Sequence, residues 1–116
     1  MNGISPQLQN QIAQYQQTQQ QLQAVTTQRV QMESQRRESE RTSEELAKAT
    51  GDVYRSVGSL LIKVEDREQL KAEIEESLET LGIRIRGLEK QEKSLRERYE
   101  SLQETINKAV GQPGAE

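Results

Sequence analysis

Residues 53–64 read V-Y-R-S-V-G-S-L-L-I-K-V, and how this stretch folds decides how the rest of the chain is read. It is a short apolar run in an otherwise very polar sequence. Gly58-Ser59 at its middle fits a two-residue hairpin turn with glycine at the first central position. That turn sets Val57 opposite Leu60, Arg55 opposite Ile62 and Val53 opposite Val64. One face then carries Val53, Val57, Leu60, Ile62 and Val64, while the other carries Tyr54, Ser56, Leu61 and Lys63. Two strands this short keep unpaired backbone groups along both outer edges and are not stable alone. Val53, Tyr54, Val57, Leu60, Leu61, Ile62 and Val64 are therefore expected to be subunit-assembly residues. Pairing with strands of neighbouring chains, ideally by closing a barrel, removes the open edges. The competing reading, a hairpin that only caps its own helices, leaves those edges unpaired.

Outward from the hairpin, a helical pattern of nearly equal length lies on each side. Ser5 and Pro6 fit an N-cap and a first helical residue. Apolar residues then recur at Leu8, Ile12, Tyr15 and Leu22, with Gln19 expected to fill one seam position. A phase slip is expected near Leu22–Val25, after which Val25, Met32 and Leu46 carry the seam. Gly51 suits a left-handed residue just past the helix end. Glutamine crowds residues 7–35, but it is a good helix former and the seam persists through it.

Asp66 opens the second helix, with Gln69 three residues on as a variant capping box. The seam there is cleaner: Leu70, Ile74, Leu78, Leu81, Ile85, Leu88, Leu95, Tyr99, Leu102, Ile106 and Ala109, broken only at Glu92. Gly82 flanks this seam and is compatible with close helix approach or with local softness. The expected organisation is one domain over 1–116: helix 5–50, hairpin 53–64, helix 66–110 and a flexible tail 111–116. The fold class is mainly α, a long antiparallel two-helix coiled coil with one central β-hairpin that contributes to an inter-subunit β-barrel. Each helix spans about 65 Å at 1.5 Å per residue. Folding back at 51–65 would bring Leu46 to Leu70, Met32 to the Leu81–Ile85 region, and Leu8 to Ile106 or Ala109.

Composition narrows the function classes. Of 116 residues 31% are hydrophobic, below the roughly 45–50% of globular domains, so a narrow seam suits the chain better than a compact core. With no His and no Cys there is no ordinary zinc site, no Ser-His-Asp triad and no disulfide. The missing thiols agree with a reducing compartment. A net charge of −3 gives no broad pull toward nucleic acid. Arg36, Arg37 and Arg41, and Arg84, Arg86, Arg96 and Arg98, are interleaved with glutamates and read as solvated mixed-charge faces. The carboxylates lie on exposed helix faces with no pocket to shift their pKa, so an enzyme is not expected, nor a cofactor. The start M-N-G-I-S-P-Q lacks the regions of a signal peptide, and no apolar run approaches the roughly 20 residues of a membrane span. A soluble cytoplasmic protein is expected, with no membrane or nucleic-acid partner.

The order helix, single hairpin, helix resembles the beta subunits of the prefoldin family, archaeal type. The residues that carry the resemblance are V-Y-R-S-V-G-S-L-L-I-K-V at 53–64, the following E-D-R-E-Q-L-K-A-E-I-E-E, L-E-K-Q-E-K-S-L-R-E-R at 88–98, and the Gln-rich first helix. The alpha-type subunits of that family carry two hairpins, and this chain has room for one. The resemblance implies an ATP-independent chaperone in which two alpha and four beta subunits join through a double β-barrel base. Unfolded client polypeptides are then held at the coiled-coil tips and passed to a group II chaperonin. Partners would be alpha-type subunits, other copies of this chain, clients and the chaperonin.

The same residues support a physical reading of client capture. Coiled-coil ends fray because terminal residues lack neighbours on one side. Ile4, Leu8, Ile12, Leu102, Ile106 and Val110 are the apolar residues such fraying exposes, and they are the expected client-binding residues. Ile4 and Val110 sit outside the regular seam; the other four also serve as ordinary seam residues. The alternative is a structural or tethering coiled coil without clients, a class that usually lacks a β segment at the bend.

Overall fold

The computed structural model describes residues 4–111, in the order α1 (Pro6–Lys48), β1 (Tyr54–Val57), β2 (Leu60–Lys63) and α2 (Arg67–Gly111). The start of α1 is set by Ser5. Its Oγ accepts the Leu8 N–H at 3.0 Å, and its carbonyl accepts the Gln9 N–H at 3.0 Å. Pro6 occupies the first helical position, where its missing N–H costs nothing. Asp66 does the same for α2: its Oδ1 accepts the Gln69 N–H at 3.0 Å and its carbonyl accepts the Leu70 N–H at 3.2 Å. The reciprocal half of a capping box does not form. The Gln69 amide turns along the helix to Glu73 at 3.4 Å instead.

The C-terminus of α1 differs from expectation. Helix geometry ends at Lys48, and among the described residues Gly58 alone has a positive φ, so Gly51 is not a left-handed cap. Two other devices close the end. The Ala49 N–H donates to the Leu46 carbonyl at 3.3 Å, tightening the last turn. The Arg67 guanidinium donates to the Ala49 carbonyl at 3.0 Å and to the Gly51 carbonyl. A cation at the negative end of α1 is also favoured by the helix dipole. At the other end of the chain, α2 continues through Gly111, one residue into the expected tail; 112–116 lie outside the described residues.

The seam of α1 also departs from the expected phase. Thr18 is 1% exposed and Gln19 is exposed. The inward positions run Tyr15, Thr18, Leu22, Val25, Arg29, Met32, Arg36, Ser39, Ser43 and Leu46, in unbroken alternation of three and four. No slip therefore occurs at Leu22–Val25; ahead of Tyr15, Gln11 and Ile12 are both partly buried. Burying a glutamine amide without a partner is costly, whereas threonine presents a methyl and a small hydroxyl. In α2 the named apolar seam residues from Leu70 to Ile106 are buried or partly buried, but Ala109 is exposed.

The two helices and the hairpin distribute over two units. One holds residues 4–29 of the N-terminal side and 87–111 of the C-terminal side. Its two segments run antiparallel, with Tyr15 against Tyr99 and Arg29 against Glu92. The other is Val30–Arg86, which contains the end of α1, the hairpin and the start of α2, with Ile85 at 1% exposure as its most buried apolar side chain.

Candidate functional site

Within Val30–Arg86, the hairpin pairs Tyr54 with Lys63, Arg55 with Ile62, Ser56 with Leu61 and Val57 with Leu60. The turn requires Gly58, whose φ is +60°; no non-glycine residue among those described has a positive φ, so the turn is of the II′ kind, with Ser59 in an ordinary conformation. The Val64 N–H donates to the Val53 carbonyl at 2.8 Å, extending the ladder beyond the strands proper. Of the seven expected assembly residues, Val53 and Val64 are partly buried at the hairpin root. Tyr54, Val57, Leu60, Leu61 and Ile62 are exposed, Leu61 at 75%. The register puts Val57, Leu60 and Ile62 on one face and Tyr54 and Leu61 on the other, so neither face of the two-stranded sheet is covered.

That exposure is energetically consequential. A side chain of this size gains about 1.5–3 kcal/mol on going from full exposure to full burial, so these five, 45–75% exposed, amount to roughly 4–9 kcal/mol together. This matches in scale the roughly 4–15 kcal/mol that association costs in lost freedom. The sheet also has two open edges. Polar contacts hold the hairpin root in place. Arg55 pairs with Glu73 of α2 at 3.6 Å, Lys63 with Asp52 at 3.8 Å, and Arg67 clasps the end of α1. Both ion pairs are about half exposed and each contributes little on its own.

In the other unit, the six expected client-binding residues separate into two groups. Ile4, just ahead of α1, and Val110, in the last turn of α2, are 52% and 65% exposed. Leu8, Ile12, Leu102 and Ile106 are partly buried in the seam. Ile12 and Ile106 share an open groove with Tyr15, Gln16, Gln103 and Asn107.

Two features of this unit escaped the sequence reading. Tyr15 and Tyr99 stack with ring centroids 4.7 Å apart and planes 19° from parallel. The Tyr15 hydroxyl donates to that of Tyr99 at 2.8 Å, and this bond, with desolvation second, raises the Tyr15 pKa above its ordinary value. The second feature is Glu92, the interruption in the α2 seam, which is only 5% exposed. Thr26 Oγ1 donates to Glu92 Oε2 at 2.6 Å; Arg29 donates through Nε to Oε1 at 2.6 Å and through Nη2 to Oε2 at 3.1 Å. Arg96 adds a 3.5 Å contact from one turn on. The Arg29 bonds, then the Thr26 bond, hold the carboxyl below the usual carboxylate range against the opposing effect of burial. No buried side-chain nitrogen or oxygen among the described residues lacks a partner. The signal for this cluster was present in the sequence: a carboxylate at a seam position demands donors from the facing helix, and Thr26 and Arg29 lie on one face of α1.

Among the described residues no group of three or more His, Cys, Asp or Glu side chains is placed to hold a metal, and no helix is long and apolar enough to cross a membrane.

Comparison with known proteins follows the same lines. A family model for prefoldin subunits matches residues 9–113. A prefoldin subunit beta of Methanococcoides burtonii is 45% identical over 113 residues, covering 96% of each chain. One of Archaeoglobus fulgidus is 46% identical over 108 residues, covering 91% of this chain and 92% of its own. The crystal structure of the prefoldin beta subunit from Thermococcus strain KS-1 superposes with a TM-score of 0.81 at 34% identity, covering 95% of this chain and 97% of the other.

Proposed function

Because this chain belongs to the prefoldin subunit family, we propose that it is a beta-type subunit of an ATP-independent chaperone that captures unfolded polypeptides and passes them to a group II chaperonin. The observation that carries the reading is the uncovered hairpin: apolar side chains on both faces and two unpaired edges, held at the root by Arg55, Lys63 and Arg67. Strands of neighbouring subunits, two of alpha type with four of this type, complete that sheet as an inter-subunit barrel in the cytoplasm. A tethering coiled coil has no use for such a surface.

Capture then falls to the helix ends. Ile4 and Val110 offer exposed apolar contacts, and Leu8, Ile12, Leu102 and Ile106 join them when the ends open. Each contact is weak, so release needs no nucleotide. Several helix pairs gripping one client together raise the effective concentration of each next contact. The test is light scattering of a denatured client with the chain assembled with an alpha-type subunit. Suppressed aggregation at near-stoichiometric amounts supports the reading; unaltered aggregation by a correctly assembled complex refutes it.

A further inference from the structure

Positions 4–28 hold no charged residue; the first charge on α1 is Arg29, and from there to Lys48 charges recur every few residues. Helix formation does not explain the change. Glutamine, glutamate and lysine have nearly equal helix propensity, and a Glu–Lys alternation adds i,i+4 pairs that glutamine forgoes. Solubility does not explain it either, because the second half of the same helix is solvated by charges.

The groove of Ile12, Tyr15 and Ile106 lies against this uncharged stretch. Its floor is apolar and partly buried, with the Tyr15 ring fixed by its stack and hydroxyl bond to Tyr99. Its rims are Gln16 and Gln19 on α1 and Gln103 and Asn107 on α2, all four exposed. The α2 rim departs from its surroundings. Past Gly87 that helix carries amides only at Gln91, Gln103 and Asn107, among many glutamates, lysines and arginines, and two of the three stand at the groove. Their sequence neighbours Glu104 and Lys108 do not line it. Among the described residues none of the four side-chain amides is hydrogen-bonded within the chain.

We propose that this groove grips an extended, uncharged segment of an unfolded client by its backbone. Gln16, Gln19, Gln103 and Asn107 hydrogen-bond to the client's peptide groups, while Ile12 and Ile106 take its apolar side chains. The inference rests on the capture reading above and adds what is recognised. A primary amide offers N–H donors and a carbonyl acceptor, the same two functions that every peptide unit exposes in an unfolded chain. A carboxylate only accepts and an ammonium only donates; each favours clients of one sign and must be desolvated to bind them. Amides impose neither condition. Ordering a glutamine costs side-chain entropy, so each bond is weak by itself and several helix pairs are needed. In a folded protein the peptide groups are satisfied internally. Such a groove therefore separates unfolded from folded chains without reading their sequence.

The experiment uses the full chain assembled with an alpha-type subunit, and a short, capped fluorescent peptide that alternates leucine and serine. In a second peptide two central amides are replaced by esters, which keeps the shape and the carbonyls but removes two N–H donors. Fluorescence anisotropy is expected to show the ester peptide bound about fivefold or more weakly. In Gln16→Leu/Gln103→Leu, whatever the change in overall affinity, the two peptides should bind within about twofold of each other. Adding two lysines or two aspartates to the ends of the amide peptide should alter binding by less than about threefold at about 0.15 M salt. Equal binding of amide and ester peptides to the wild-type complex overturns the proposal. So does a difference that survives the double substitution, or a strong preference for one sign of charge. A complex that doubles in mass, with the doubling lost in the double variant, overturns it too, since the groove would then hold a second copy. Light scattering separates these failures from a failure of the chaperone reading. A complex that suppresses client aggregation without telling amide from ester refutes only the backbone grip; one that neither binds peptide nor suppresses aggregation refutes both.

Discussion

Glu92 stays ionised in an apolar seam because Thr26 and Arg29 reach it. Its pKa is depressed in the fold, so the unfolded chain binds the proton more readily. The stabilisation is therefore present above the ordinary carboxyl value of 4.5 and fades as pH falls below it, through the lowered folded value. Many other carboxylates titrate in the same range, so the comparison that isolates this one is wild type against Glu92→Gln. The thermal midpoint of the variant is expected to correspond to a loss of about 1 kcal/mol at neutral pH, and the two curves should converge on acidification below about 4.5. A gap that stays constant through that range would show that the charge on Glu92 is not what the cluster holds. Tyr15 runs the opposite way. Its pKa is raised by the bond it donates to Tyr99, so that bond is intact below the ordinary tyrosine value of 10.0 and is lost as pH rises past it.

At the scale of elements, two kinds of glycine separate cleanly. Gly58 stands in open space, yet its φ of +60° is one that L side chains adopt only at a cost of about 1–2 kcal/mol. Gly58→Ala is expected to loosen the hairpin by that amount and to increase amide exchange of residues 54–63, with helicity unchanged. Gly82 and Gly87 lie inside α2 with ordinary helical backbone. A Cβ at Gly82 would meet the Arg86 guanidinium at an ordinary 3.6 Å, and one at Gly87 would meet nothing. The sequence left open whether Gly82 permits close helix approach; the space around it shows that it does not. Alanine at both positions is therefore expected to raise stability by about 1 kcal/mol each, read as a higher thermal midpoint. The same contrast explains what was legible beforehand. Hairpin register was readable because Gly58-Ser59 admits one turn geometry and a period of two then places each residue. The N-caps at Ser5 and Asp66 were readable because capping is local. The end of α1 was not, because Arg67 closes it from eighteen residues away. Nor was the α1 phase, because choosing Thr18 over Gln19 depends on which side chain the facing helix can accommodate. Of the candidate sites, the pairing and the two faces of the hairpin were legible from its turn, but the partial burial of Val53 and Val64 at its root was not; the Tyr15–Tyr99 stack and the Glu92 cluster needed the pairing of two distant segments.

At the scale of the whole molecule, the hairpin and the helix ends belong to different units and should fail separately. Val57 and Ile62 share one exposed face of the sheet, so lysine at both places two charges where a neighbouring sheet would cover them. Burying unpaired charge costs several kcal/mol each, enough to dissociate a complex whose apolar gain at this surface is roughly 4–9 kcal/mol. Native mass spectrometry with an alpha-type subunit is expected to show lower-mass species, while circular dichroism keeps its helical signal. An unchanged mass would place the assembly contacts elsewhere. Removing residues 1–8 and 106–116 is the complementary change. It takes away Ile4, Leu8, Ile106 and Val110 but leaves the hairpin, Glu92 and the Tyr15–Tyr99 stack in place. Assembly mass, corrected for the deletion, is then expected to be preserved. Client capture should fall by about tenfold or more, because grip shared among several weak contacts is lost steeply when each helix pair loses its outermost ones. Light scattering of a denatured client measures that loss. Full protection by the trimmed complex would move the gripping surface inward, toward the groove beside Tyr15 and Gln16 that the deletion leaves on α1.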